Sequence, residues 1–154
     1  MQGKDYLVVS DKGHCYRVKA VGAADRLDCL QGLVGYWAGN SALVELIQTI
    51  PTQDGIIDCW ANEEGLFRPG FKTNTIGSAL CKKNVKGPIV FAGSDGDGET
   101  IPVAPEFIEA AVEIGVELEG NGKQYTWPEV CIELMEQEQK YLEYTEDMEE
   151  RHND

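Results

Sequence analysis

The acids and bases of this chain are segregated, and that segregation limits how it can fold. No acidic residue occurs between Leu66 and Ser94, where Arg68, Lys72, Lys82, Lys83 and Lys86 give +5. The whole chain is −14, so the remainder carries −19. From Glu129 to Asp154 there are ten acids and two bases, −8 in 26 residues. Carboxylates taken out of water without partners are costly, so a segment this acidic must keep most of its circumference in solvent. The core then has to come from what precedes it. The expected organisation is one α+β domain over residues 1–120 and an acidic C-terminal helical appendage over residues 121–154.

A chain of 154 residues fits one such domain, and an apolar fraction of 42% allows a core of ordinary size. No apolar run approaches the length of a membrane span, and Met1-Gln2-Gly3-Lys4-Asp5 does not read as a signal peptide. The expected setting is the cytosol of a host cell. Five scattered cysteines without a C-x-x-C, beside only His14 and His152, argue against a zinc site or a disulfide framework. They read as small core residues. The acidic balance argues against general nucleic-acid binding, which needs a broad basic surface, and permits good solubility and attraction to a basic protein partner.

Along the chain, Tyr6 to Ser10, the turn Asp11-Lys12-Gly13 and Cys15 to Lys19 read as an opening hairpin. Asp25 can cap a helix with Leu27, Leu30, Leu33 and Val34 on its apolar face and Gly35 as its stop. Tyr36-Trp37 then supplies a core anchor or a stacking surface. Ala42 to Ile50, the turn Pro51 to Gly55, and Ile56 to Trp60 read as a second hairpin, followed by the turn Asn62-Glu63-Glu64-Gly65. A loop leads to a short helix over Ile76 to Cys81. Lys86-Gly87-Pro88 breaks the chain before a buried strand, Ile89 to Ala92. Gly93 to Gly98 reads as a hairpin tip and Thr100 to Val103 as a return strand, which Pro102 places at an edge. Pro105 starts a helix carrying Phe107, Ile108, Ala111 and Val112. Gly115 to Glu119 can extend that helix or form a strand, and Gly120-Asn121-Gly122 is a break. Thr126-Trp127-Pro128-Glu129 has capping-box spacing ahead of a long polar helix with a thin stripe of Leu134, Met135, Tyr141, Leu142 and Met148.

Leu30-Gln31-Gly32-Leu33-Val34-Gly35-Tyr36, then Cys59-Trp60-Ala61-Asn62-Glu63-Glu64-Gly65, Asn74, the Gly87 turn and the strand from Ile89 to Ala92 occur in an order that resembles an uncharacterised domain family of small phage and mobile-element proteins. The similarity runs from Tyr6 to about Phe107. The chain departs from the pattern after Gly35, where a second glycine is usual, and in its acidic helix. The resemblance implies a small α+β domain and a phage-accessory, counter-defence setting. It brings no activity and no catalytic residues.

The basic island is the leading candidate site. Arg68 can grip a phosphate with two guanidinium nitrogens, Lys72, Lys82 and Lys83 add charge, and Asn74 and Thr75 offer hydrogen bonds. Trp60 or Phe71 can stack a base. The competing reading leaves these cations in solvent or pairs them with the acidic tail. Glu63 and Glu64 point apart in a turn, and Asp95-Gly96-Asp97-Gly98-Glu99 has only the opening of a calcium loop, so neither carries a site by itself. No Walker or dinucleotide glycine pattern occurs, no cofactor is expected, and His14 has no evident catalytic partner. The sequence thus reads as a non-enzymatic protein that sequesters a small phosphorylated, nucleotide-derived ligand and forms a homo-oligomer around it. The alternative is an acidic interaction module that blocks a host protein through Glu129 to Asp154, as a nucleic-acid mimic.

Overall fold

The computed structural model describes residues 5–19, 26–35, 43–52, 55–94, 100–101 and 103–152. The elements in order are β1 (Asp5–Val9), β2 (Cys15–Lys19), α1 (Arg26–Gly35), β3 (Val44–Thr52), β4 (Gly55–Asn62), α2 (Thr75–Cys81), β5 (Ile89–Ser94), β6 (Thr100–Ile101), α3 (Pro105–Glu113), β7 (Gln124–Tyr125) and α4 (Trp127–His152). Among the described residues seven strands form one sheet in the order β3-β4-β5-β1-β2-β7, with β6 on β5. All pairings are antiparallel except β2 with β7. This is the expected α+β architecture, antiparallel-rich, with three packed helices and an acidic C-terminal one.

The period-2 alternation of strand side chains divides the core between two faces. Every residue of β1 is buried. Its Tyr6 and Val8 join Val90 and Ala92 of β5 under α1 and α4, where Leu30, Leu33, Val34, Val130, Cys131 and Leu134 close that face. Leu7 and Val9 point the other way, with Ile89 and Phe91, toward Cys81 at the end of α2 and Ile108 and Ala111 of α3. A sheet covered on both sides explains why β1 and β5 lack a polar face. At the α1–α4 contact a Cβ on Gly32 would lie 2.8 Å from the Trp127 ring, so only glycine permits that approach.

The first half of α4 is core, with Val130, Cys131 and Leu134 fully buried, and Thr126 Oγ1 accepts from the Glu129 N–H at 3.4 Å at its start. The packing therefore does not divide at residue 120 as expected from charge counting. The acids spare the buried stripe of the first turns, and the helix leaves the body only after Leu142. From Glu143 to Glu149 all side chains but Thr145 are exposed. Gly115 to Glu119 neither extends α3 nor forms a strand of its own: Leu118 makes a single parallel bridge to Cys15, and Glu119 opens a short 3-10 turn through Gly120, Asn121 and Gly122, all three with positive φ. Of the expected return strand, Thr100–Ile101 pairs with β5 and Val103 bridges Asp5. Asp25, Tyr36-Trp37, the run Asp95 to Glu99 and Pro102 lie outside the described residues.

One polar side chain ties the loop before α2 into the sheet. Asn74 is fully buried; its Oδ1 accepts from the Gly77 N–H at 2.8 Å and caps α2. Its Nδ2 donates to Val9 O and Gly87 O, both at 2.8 Å. Asn74→Ala removes the cap and strands two buried carbonyls, at a combined cost of about 3 kcal/mol. Urea denaturation is expected to report that loss, and Asn74→Asp, which keeps the cap acceptor and loses both donors, is expected to recover only a minor part.

Candidate functional site

The structure separates the residues of the basic island. Arg68 does not hold an open fork: its Nε and Nη2 donate to the two carboxylate oxygens of Glu138 on α4, at 3.1 and 2.9 Å, and Nη1 donates to Gly35 O at 3.2 Å. Its guanidinium also lies 4.7 Å from the centre of the Phe71 ring. Phe71 is buried and belongs to the α1–α4 side of the core, where a Cβ on Gly87 (φ +88) would overlap its ring. Trp60, half-buried, packs on the same side, and its Nε1 has no hydrogen-bond partner. Neither ring is presented as a stacking platform. Asn74 is spent on the fold.

Lys82 and Lys83 follow α2, at the opposite end from Thr75, a helix length of about 10 Å. Lys82 is the left-handed C-cap, with its N–H on Ser78 O. Lys83 Nζ donates to Ile47 O at 2.9 Å. Cations at a helix C-terminus also suit the helix dipole. The end of α2 that carries them packs through Leu80 and Cys81 on the α2–α3 side of the sheet, across it from Trp60, and both lysines are exposed.

Of the island's cations, Lys72 faces a cleft of about 500 Å³ between the β1–β2 turn and the segment leading into α2. Lys72, Thr73 and Thr75 form one wall, with Ile76 below them, and Asp11 and Lys12 the other. The walls are bolted together: the Lys72 N–H donates to Asp11 Oδ2 at 2.7 Å, and Lys12 Nζ donates to Gly70 O at 2.6 Å. Lys12 Nζ also donates to Asp11 Oδ2 at 3.1 Å. It lies at 3.1 Å from Oδ1 too, but Oδ1, shielded from solvent, makes no hydrogen bond. The ammonium groups of Lys12 and Lys72 stand 5.1 and 5.6 Å from the Tyr141 ring centre on α4. A quadrupolar ring face holds cations without neutralising them. Lys72, Thr73 and Thr75 are exposed, so one wall offers an ammonium and two hydroxyls to an incoming group.

Of the sequence candidates, then, only Lys72 and Thr75 share this cleft. Lys12 and Asp11 were hidden in what reads as ordinary turn chemistry. Their partners stand 58 and 61 residues away, and no local pattern signals such a pairing. His14, beside the turn, places Nδ1 2.8 Å from Glu119 Oε1, 105 residues downstream. The five cysteines are all buried, as expected of small core residues. Burial pushes the Cys15 thiol up to about 11 and the Cys131 thiol up to about 12. The hydrogen bond from Cys59 draws Cys81 down to about 7, while that same bond and burial drive Cys59 upward. Burial also raises Asp58. Among the described residues no cluster of three potential metal ligands gathers, and no helix is long and apolar enough to cross a membrane.

A scan against protein-family models finds no match to this chain, and searches of curated proteins and of solved structures find none.

If the Arg68–Glu138 contact is structural, a double-mutant cycle with Arg68→Ala and Glu138→Ala should give a coupling of about 1 kcal/mol in urea denaturation, after allowing for partial exposure. Purely additive losses would free Arg68 for another role.

Proposed function

We propose that this protein binds and holds a small phosphorylated ligand in the cleft between the β1–β2 turn and residues 72–76. The observation that carries the reading is the pairing of an exposed Lys72 ammonium with the Thr73 and Thr75 hydroxyls on a wall fixed by Asp11. A phosphate oxygen accepts from all three kinds of donor, and a prefixed wall lowers the ordering cost of binding. The role is sequestration rather than turnover, in keeping with the counter-defence setting that the family resemblance implies. A nucleotide-derived signal is one ligand of this chemistry. The cleft is open on one side, which supports a second copy closing over the bound ligand.

A second reading rests on a separate observation. Beyond Leu142, α4 presents Glu143, Glu146, Asp147 and Glu149 around an exposed Tyr144 and Met148. An aromatic and a methionine ringed by acids suit a basic protein surface. Truncation to test it has to begin at Glu143, because a cut after Pro128 would remove Val130, Cys131 and Leu134 from the core.

Calorimetric titration with phosphorylated probes separates these sites. Lys72→Ala is expected to weaken binding at least tenfold, about 1.4 kcal/mol, with unchanged stability, while Lys82→Ala changes affinity less than twofold. The reverse order would move the site to the far end of α2. Loss of binding on truncation at Glu143 would move it to the acidic helix.

A further inference from the structure

The same cleft carries information about the rest of the ligand. We infer, resting on the binding reading above, that it recognises a singly phosphorylated polyol, the sugar-phosphate portion of a ligand, and makes no use of a nucleobase. Charge sets the first limit. Lys12 and Lys72 contribute +2 and Asp11 −1, so the walls carry +1. A phosphate monoester brings about −1.5 to −2 at neutral pH. One such group is close to matched, whereas a chain of phosphates exceeds what the walls neutralise in a protein already at −14.

The lining sets the second limit. A base needs an aromatic or broad apolar face to stack on. The cleft offers only Ile76; every other residue of its wall is polar, charged or glycine. The described aromatic side chains near it in sequence or space are committed elsewhere. Phe71 is inside the core, and the Tyr141 ring carries the two ammonium groups. Phe67 is 84% exposed but forms no part of the wall.

The third limit comes from the hydroxyls of the wall. Asp11 is shut off from solvent, with Oδ2 accepting from the Lys72 N–H and Oδ1 3.1 Å from Lys12 Nζ, so it fixes the wall and does not meet the ligand. The exposed Thr73 and Thr75 hydroxyls both donate and accept, so beside a phosphate held by Lys72 they can pair with ligand hydroxyls as well.

Calorimetry of the unmodified protein with ribose 5-phosphate, adenosine 5′-monophosphate, adenosine and inorganic phosphate tests this. The two sugar phosphates are expected to bind within threefold of each other, inorganic phosphate at least tenfold more weakly, and adenosine not at all. Adenosine 5′-monophosphate binding tenfold tighter than ribose 5-phosphate would show that a base is read and overturn the inference while sparing the binding reading. Inorganic phosphate binding as tightly as ribose 5-phosphate would overturn the role of the hydroxyls in the same way. Silence from all three phosphate-bearing probes would sink the binding reading, and this inference with it.

Discussion

The structure turns on the side chain of Asn74. Three separate parts of the chain meet at that one buried amide: the end of β1 through Val9 O, the first turn of α2 through the Gly77 N–H, and the turn before β5 through Gly87 O. Its own backbone N–H goes to Val85 O. Buried carbonyls at a strand end and a turn need donors, and a single amide supplies two of them while capping a helix. Asp11 performs the matching service from the opposite side by accepting the Lys72 N–H. Between them these two residues hold the 68–76 segment on the β1–β2 turn, and the cleft is the space left where the two meet.

That arrangement also decides what becomes of the charges. The first part of the basic island, Arg68 and Lys72, lies against the acidic helix, and the contact of Arg68 with Glu138 consumes the residue best suited to grip a phosphate. Farther along α4, Tyr141 offers Lys12 and Lys72 a ring in place of a carboxylate. The helix therefore neutralises Arg68 and leaves Lys72 charged. With a screening length of about 8 Å at physiological ionic strength, such a local field can attract an anion despite the net charge of the chain.

Much of the scaffold was legible because it depends on local chemistry. The Asp11-Lys12-Gly13 turn, the antiparallel pairing of β3 with β4, Pro105 at a helix start and the Thr126 cap all declare themselves within a few residues. The buried alternation of β1 and β5 follows from their apolar composition. Strand order was not legible, nor was the two-residue parallel strand β7, since pairings across such separations leave no periodic trace. The two-sided covering of the sheet was hidden for the same reason. The site was half legible. Charge counting found Lys72 and Thr75, but it cannot distinguish a lysine facing solvent from an arginine already bound to Glu138. It also gave Asn74 a ligand role, because a buried cap and a surface hydrogen-bond donor look alike in one dimension. Several residues of the short glycine- and asparagine-bearing patterns prove to be joints of the fold: Gly32 against Trp127, Asn62 Nδ2 on Val34 O at 3.0 Å, and Asn74 itself.

The most direct measurement of the central claim is an amide-resolved NMR titration of the protein with ribose 5-phosphate. The account predicts saturable shifts confined to Lys12, Gly13 and Lys72 to Ile76, with the amides of Lys82, Lys83 and residues 143–149 unmoved. Shifts centred on Lys82 to Lys86 or on the acidic end of α4, with the cleft amides silent, would contradict it.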